Sequence, residues 1–392
     1  MVDLKKEIKL SDLFKRPAKA KAPGTRSFPV LSGKPSRRSK SRTIVGLKIG
    51  ASQLVAARVV NNGTAELVQL ARQVVPTGSV YSGEVRNGTA LAATLDDFFR
   101  ENDLPRRGVR LGVATNRIGV RAFDLAGIED DRQLANAIRF RAQEAVSIPI
   151  DEAVLDYHIV SETVDDAGGI NRRVVLAVAY REAIDLYTEA CRQAEVELMG
   201  IDLEAFALLR AVTPPTDGDE PRAAAVIALT IGHDRSTLAI SDGAVCDFTR
   251  VLEWGGSNLV AEIERKLGVP RADAAELLGD LSLHTDAAAE AGADRRPALA
   301  RDAVRQRLQT LGRELISSLQ AYQSQPGSLA IDDVLLSGGT SRLAGFPEEL
   351  ARVTGVRVRR ADPLVNVKVA ESLETPEDLS PYAVAIGLGL EV

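Results

Sequence analysis

Four short turns that contain glycine are the segments of this sequence whose residue types suit the binding of an anion. Glycine lets backbone N–H groups approach an anion closely, and neighbouring hydroxyl groups are further donors. We expect the turns at 50–53 and 232–234 to face each other across a cleft. The turns at 255–258 and 337–340 should begin helices, whose N-termini favour phosphate or ribose oxygens. The candidate phosphate-binding residues are Lys48, Gly50, Ala51, Ser52, Gln53, Gly232, Asp234, Gly255, Gly256, Gly338, Gly339 and Thr340.

The sequence lacks the patterns of several other kinds of site. It contains neither GxxxxGK followed by Ser or Thr nor GxGxxG followed by an acidic partner, which argues against a P-loop and a dinucleotide fold. Cys191 and Cys246 lie far apart, and with three scattered histidines they give no metal-site or disulfide spacing. Ser52 and Ser236 have no evident histidine partner. We therefore expect no metal ligands, no catalytic residues and a reducing cytoplasm as the compartment.

The net charge of −5 conceals a basic segment attached to an acidic body. Residues 1–43 contain 13 basic and 3 acidic side chains, a net charge of +10, so the remainder carries −15. Residues 17–42 are rich in Pro, Gly, Ser, Lys and Arg, which is typical of a linker. We expect 1–42 to be a basic disordered arm and linker. It suits contact with anionic lipid, with an acidic protein face such as another copy, or solubility alone; nucleic acid is not a partner that we expect.

Hydrophobic periodicity divides the rest of the chain into two lobes and an insert. No apolar run reaches the roughly 18 residues of a membrane span. Three strands with Asn62-Gly63 at one turn predict a meander, followed by a helix and a further strand. A strand-helix-strand-strand segment closed by a helix then interrupts the first lobe. We expect a first lobe at 43–118, an inserted subdomain at 119–195, a return to the first lobe and boundary at 196–222, and a second lobe with a helical subdomain at 223–392.

A repeat links the two lobes. The run IVGLKIG aligns with VIALTIG, so that Ile231-Gly232 matches Ile49-Gly50 at an offset of 182 residues. Each run is followed by a polar turn and an apolar strand, and Gly46 aligns with Ala228, both small enough for a helix to pack closely on the sheet. Gene duplication explains this pattern economically.

The order of these motifs resembles that of the actin, heat-shock-chaperone and sugar-kinase superfamily. Within it, the insert resembles the subdomain shared by FtsA and PilM, and the segments IDLEAFALLRAV, VLEWGGSNLVAEI and LLSGGTSRLAGF resemble PilM, a type IV pilus assembly family. The similarity covers about residues 43–390. The resemblance implies an α/β fold of duplicated ribonuclease-H-like (actin-like) lobes around a nucleotide cleft, with a strand-helix-strand-strand insert in the first lobe.

The same resemblance implies a function in pilus assembly. PilM-like proteins form a cytoplasmic ring under the inner membrane, and a groove between the first lobe and its insert accepts a short N-terminal peptide of a PilN-like membrane protein. We thus expect a homo-oligomeric scaffold associated with the membrane through its partners. One alternative is an active ATPase or kinase of the same fold. Another is an FtsA-like cell-division protein, which the ending LGLEV disfavours because FtsA ends in an amphipathic membrane-targeting helix.

Two residues depart from the pattern of ATP-hydrolysing relatives. Those proteins have Asp two positions before each turn glycine, to hold Mg²⁺ through water, whereas this sequence has Lys48 and Thr230. Mg²⁺ prefers anionic oxygen ligands, so its use is doubtful and ATP binding should be weak with little hydrolysis. Lys48 could pair with phosphate in place of the metal, or cross the cleft to an acidic residue. Asp234 and His233 could reach a metal or a phosphate; Thr230 suits a small polar filler.

Overall fold

The computed structural model describes residues 42–128, 130–145, 149, 152–164, 169–215, 222–243, 245–284 and 295–391. The arm and linker expected at 1–42 therefore lie outside the described residues, except for Arg42, where the first strand begins. The strands are β1 (Arg42–Ile49), β2 (Gln53–Asn62), β3 (Thr64–Val74), β4 (Val80–Tyr81), β5 (Glu84–Val85), β6 (Arg107–Val113), β7 (Ile118–Ala126), β8 (Ala153–Val164), β9 (Ile170–Tyr180), β10 (Glu197–Leu203), β11 (Val226–Ile231), β12 (Ser236–Ser241), β13 (Cys246–Leu252), β14 (Asp333–Ser337), β15 (Arg357–Arg360) and β16 (Lys368–Val369). The helices are α1 (Gly88–Glu101), α2 (Asp131–Ala145), α3 (Arg181–Gln193), α4 (Glu204–Val212), α5 (Gly256–Leu267), α6 (Arg271–Gly279), α7 (Arg296–Gln323), α8 (Phe346–Thr354) and α9 (Ala383–Gly389).

Two sheets repeat one topology. The first has the order β10-β6-β1-β2-β3-β16 and the second the order β13-β12-β11-β14-β15. In each, the first three strands form an antiparallel meander. One later strand pairs in parallel with the first strand of the meander, and a second pairs in parallel with that later strand. The central strands β1 and β11 are apolar and buried because helices cover both faces of the sheet. The repeated order confirms the predicted fold of duplicated ribonuclease-H-like lobes.

The insert is a small layer of one helix on one sheet. Strands β7, β9 and β8 form an antiparallel sheet with β9 in the centre, and α2 follows β7 in the chain. Leu134, Ile138 and Ala142, spaced along one face of α2, pack with Val174 and Leu176 of β9. Strand β10 then rejoins the first sheet beside β6. This arrangement is the strand-helix-strand-strand insert that the sequence predicted.

Amphipathic helices pack against the outer faces of both sheets. Helix α1 begins after Asn87, whose side chain accepts a hydrogen bond from Ala90 N at 3.0 Å and so caps the first turn. In the second lobe, one apolar stripe of α7 is buried against the sheet and α5. Its residues are Val304, Leu308, Leu311, Leu315, Leu319 and Tyr322.

Two short helices lie between the lobes, and each packs on a sheet other than the one that it follows in the chain. Helix α4 follows the first sheet in the chain but packs on the second, where Ala207 and Leu208 share a cluster with Ala228. Helix α9 follows the second sheet but covers the first. A Cβ at Gly46 of β1 would lie 2.0 Å from Ala385 O, and one at Gly387 would lie 1.8 Å from Ala207 O. The small residues at these crossings let the helices and the first sheet approach at backbone distance.

The last part of the chain belongs to the first sheet. We expected residues 223–392 to form the second lobe, but β16 pairs with β3 and α9 packs on β1 and β2. Arg110 of β6 donates to Leu388 O at 3.1 Å and to Leu390 O at 2.6 Å, so carbonyls at the end of α9 are satisfied by the first lobe. Burial lowers the pKa of Arg110 to about 10. Among the described helices, none combines the length and apolarity needed to cross a bilayer.

Candidate functional site

The two repeated turns have the same backbone geometry. Gly50 N donates to Gln53 O at 2.9 Å, and Gly232 N donates to Arg235 O at 2.9 Å. Each turn joins two antiparallel strands, β1 to β2 in the first lobe and β11 to β12 in the second. Both turns line one cavity of about 250 Å³. The cavity is also lined by Lys48, Ala51, Ser52, Val55, Arg72, Glu204, Thr230, His233, Asp234, Gly338, Gly339, Thr340, Arg342 and Pro381.

The late glycine turn closes the cavity from the second lobe. Gly338 has φ of +94°, and a Cβ there would lie 2.3 Å from Ile231 O. Only glycine combines this backbone conformation with so close an approach. Thr340 Oγ1 donates to Gly232 O at 2.8 Å, which ties this turn to the repeated one. Residues 339–342 form a short 3₁₀ segment, whereas the sequence predicted the start of an α-helix.

Gly255 and Gly256 are the two predicted phosphate-binding residues that are not among those lining the cavity. Gly256 N donates to Gly232 O at 3.0 Å, and Gly255 N donates to Asn258 Oδ1 at 2.8 Å. A Cβ at Gly255 would lie 2.5 Å from His233 O. Both N–H groups therefore bond other protein groups, and the two glycines stabilise the second turn. Helix α5 begins at Gly256, so the predicted helix start is confirmed.

A buried carboxylate lies at the centre of the cavity's charged groups. Glu204, the first residue of α4, is paired with Lys48 Nζ at 3.3 Å and with Arg235 at 3.2 Å. The side chains of Glu204 and Arg235 are only 2% and 6% exposed. Arg235 also donates to Ile49 O at 3.5 Å. Because Arg235 comes from the second lobe and Glu204 follows the first, their ion pair crosses the cleft.

Asp234 makes a second connection across the cleft. Its Oδ2 accepts a hydrogen bond from Ser82 N at 2.5 Å, and its Oδ1 is 3.5 Å from Arg235. Ser82 lies in the tight turn between β4 and β5 with φ of +50°. The Tyr187 hydroxyl donates to Gly83 O at 3.0 Å in the same turn, and burial raises the pKa of Tyr187. Asp234 is therefore engaged by the protein rather than directed at a metal.

Arg235 is a charged side chain with one hydrogen-bond donor that has no partner among the described residues. Burial opposes its charge, but Glu204, Tyr187 and Asp234 outweigh that effect and raise the pKa of Arg235. Its Nε has no hydrogen-bond partner within the part of the chain that the structure describes. Four basic side chains and two carboxylates line the cavity. This balance suits an anion.

The residues present do not fit a bound Mg²⁺. Lys48 and Thr230 each lie two residues before a turn glycine, where a metal-binding relative has Asp. The two carboxylates that line the cavity, Glu204 and Asp234, already pair with cations. Within the described ranges, no group of three or more His, Cys, Asp or Glu side chains is arranged as a metal site. Mg²⁺ needs anionic oxygens with free lone pairs.

Sequence reasoning missed Glu204 and Arg235. Glu204 lies inside the segment IDLEAFALLRAV, where two acidic residues, Asp202 and Glu204, at the junction of an apolar strand and an apolar helix were the available signal. Arg235 directly follows the predicted turn. Lys48 does pair with an acidic residue, as one of its two predicted alternatives proposed, but the partner is on the helix that follows the first lobe. The crossing of the cleft is made by Arg235.

The sheet of the insert packs against the first lobe. Val120, Val154 and Val175 on one face of this sheet are buried against the first lobe's core. Val160 and Ala177 pack against the same core and are half-buried. The insert also contacts the second lobe, where Arg173 of β9 donates to Asp247 of β13 at 2.9 Å. Burial and Asp242 raise the pKa of Asp247, against the effect of Arg173.

Comparison with known proteins identifies the relatives of this fold. Residues 46–392 match the family described as type IV pilus assembly protein PilM. A solved "PilM-PilN type IV pilus biogenesis complex" contains a chain with 25% identity and a TM-score of 0.71, covering 88% of this chain and 97% of that one. MreB5 of Spiroplasma citri bound to AMPPNP has 11% identity and a TM-score of 0.50, covering 89% of this chain and 95% of that one. The second likeness concerns the fold alone.

Proposed function

This chain belongs to the PilM family of type IV pilus assembly proteins, and we propose from that premise that it is a cytoplasmic scaffold which binds the N-terminal peptide of a PilN-like inner-membrane protein. The observation that carries the proposal is the likeness to the chain of the PilM–PilN complex, which extends over both lobes and the insert. A homo-oligomeric ring held at the membrane through this partner follows from the same proposal. Multi-angle light scattering of the purified chain tests the ring.

The groove between the first lobe and the insert is the proposed peptide site. Val160 and Ala177 supply half-buried apolar surface there. Val160 lies where the pairing of β8 with β9 shifts register, so its position differs from that of the regularly paired residues around it. Strand β8 also pairs with only one neighbour among the described strands, which leaves an edge for an added peptide strand.

A peptide-binding experiment tests this site. The probe is a fluorescent peptide containing the N-terminal cytoplasmic residues of the PilN-like protein of the same organism. Val160→Lys should weaken its binding at least about tenfold, since the burial of a valine side chain is worth about 1.5–3 kcal/mol. Val164→Lys is the matched control, because Val164 is on the same strand but 68% exposed. No binding by the unaltered chain would contradict the proposed function.

The cleft is proposed to bind ATP weakly, without dependence on Mg²⁺ and with little hydrolysis. Lys48 and the backbone of the two repeated turns would hold the phosphates, and the ammonium would supply the positive charge that a metal supplies elsewhere. The two carboxylates that line the cavity, Glu204 and Asp234, are engaged in ion pairs, and Lys48 and Thr230 stand where ATP-hydrolysing relatives have Asp. Loss of such groups lowers rates about 10²–10⁴-fold.

Calorimetry with ATP, in EDTA and in Mg²⁺, tests this part of the proposal. The two dissociation constants should agree, and a phosphate-release assay should detect negligible turnover. Turnover of about 1 s⁻¹ would instead identify an active ATPase. Lys48→Asp combined with Thr230→Asp should make binding dependent on Mg²⁺.

A further inference from the structure

Glu204 pairs with two of the four basic side chains that line the cavity, Lys48 and Arg235. One carboxylate oxygen is 3.3 Å from Lys48 Nζ and the other is 3.2 Å from Arg235. The three side chains are 15%, 2% and 6% exposed for Lys48, Glu204 and Arg235. Water therefore screens these pairs little, and their attraction is stronger than that of surface ion pairs.

The same carboxylate joins the two lobes. Arg235 stands in the turn of the second lobe, whereas Glu204 begins the helix that follows the last strand pairing with β6 of the first sheet. A ligand that draws Arg235 away from Glu204 thus weakens a bond across the cleft. The buried Nε of Arg235 has no hydrogen-bond partner within the described residues.

We propose that Glu204 is a built-in counter-ion that competes with anionic ligands for Lys48 and Arg235 and keeps the cleft closed when no ligand is present. The ligand class is a polyphosphate such as ATP or pyrophosphate, which gains the two cations only at the expense of the carboxylate. This inference rests on the proposed nucleotide binding and adds its regulation. Weak affinity is then a property of the closed cleft rather than of an absent phosphate site.

Removal of the charge of Glu204 tests the competition. Glu204→Gln keeps the size of the side chain and releases both cations, so ATP affinity in EDTA should increase at least about tenfold, measured by calorimetry on the full chain. Glu349→Gln is the matched control. Glu349 is also a buried, arginine-paired carboxylate, 3.0 Å from Arg352 Nε, but it lies on α8 and does not line the cavity. Its substitution should leave ATP affinity unchanged.

A second variant keeps the test decisive if Glu204→Gln does not fold, which the fluorescence of buried Trp254 reports. Glu204→Asp retains the charge but is one methylene shorter and cannot reach both cations at their present distances. Its ATP affinity should lie between those of the unaltered chain and the Gln variant. Hydrogen exchange should also show faster exchange at Ser82 N in the Gln variant without ligand, as expected of a loosened cleft.

The outcomes separate the two proposals. ATP binding by the unaltered chain with no gain in either Glu204 variant would overturn the counter-ion and leave nucleotide binding standing. No ATP binding by any variant would overturn both the counter-ion and the nucleotide part of the function. Peptide binding, measured on the same preparations, remains an independent test of the scaffold.

Discussion

The two repeated turns share a backbone and differ in charge. Gly50 to Gln53 and Gly232 to Arg235 close with the same 2.9 Å hydrogen bond, on sheets of the same strand order. Yet the last residue of the turn is Gln53, with an amide side chain, in the first lobe and Arg235, with a buried guanidinium, in the second. The position two before the glycine carries Lys48 in the first and Thr230 in the second.

This difference shows which properties a duplicated fold retains. The turn hydrogen bond and the strand pairing depend on backbone geometry, so both halves keep them after divergence. The side chains that point into the cleft are constrained only by one another and by the ligand. In this chain they have become a protein ion-pair network centred on Glu204.

The largest predicted effect is the loss of the crossing cation. Arg235→Met should destabilise the chain by about 3–5 kcal/mol, because it leaves Glu204 buried with one partner fewer. Gln53→Met at the equivalent place in the first turn should change stability by less than about 0.5 kcal/mol. Urea unfolding followed by circular dichroism measures both. Equal effects would show that the two turns do not differ energetically.

The next effect concerns the helix that packs on the first sheet. Gly46→Ala should destabilise by about 2–3 kcal/mol, since its Cβ would meet the backbone at Ala385 O, which cannot move as a side chain can. Gly119→Ala is the control, because a Cβ there has no atom within 4 Å. The second sheet already carries a Cβ at Ala228. A tolerated Gly46→Ala would mean that α9 packs more loosely than α4.

A smaller effect is expected at the hydrogen bond from Ser82. Asp234→Asn should lower stability by about 1–2 kcal/mol, because a charge-assisted bond to Ser82 N becomes a neutral one. Ser52→Ala, at the equivalent turn position of the first lobe, should lower it by less than about 0.5 kcal/mol. Thermal unfolding of the two variants gives the comparison. If the Asp234→Asn variant were as stable as the unaltered chain, Asp234 would not be one of the contacts that hold the cleft closed.

The smallest predicted effect is on the pH dependence of stability. It arises from His233 in the second turn, where the first turn has the non-titrating Ala51. Burial lowers the pKa of His233 below its usual 6.5, an effect that Asp234 offsets only in part. As the pH falls, the unfolded chain therefore binds a proton at this histidine before the folded chain does. The stability that neutral His233 gives the folded state is complete above about pH 6.5 and is lost as the pH falls below that value. His233→Gln should flatten the urea midpoint between about pH 7 and pH 5. The exposed His284→Gln is the control and should keep the original slope.

Most of the fold could be predicted because its signals are local. The apolar run before Gly50, its repetition before Gly232 and the stripe on α7 each specify an element within a short window. The cleft was also predictable as a set of glycine turns. The pairing of Glu204 with Arg235 was not, because it depends on how the lobes meet, and no spacing in the sequence records that. Strand β16, only two residues long, carries no periodic pattern that could predict its return to β3.

The exchange of α4 and α9 sets an order of events during translation. When β11 and β12 leave the ribosome, α4 has already been synthesised and can cover their sheet at once. The face of the first sheet around Gly46 must wait for residues 383–389, the last helix described. Until then a nascent first lobe presents an open apolar face, which is the kind of surface through which unfinished chains aggregate.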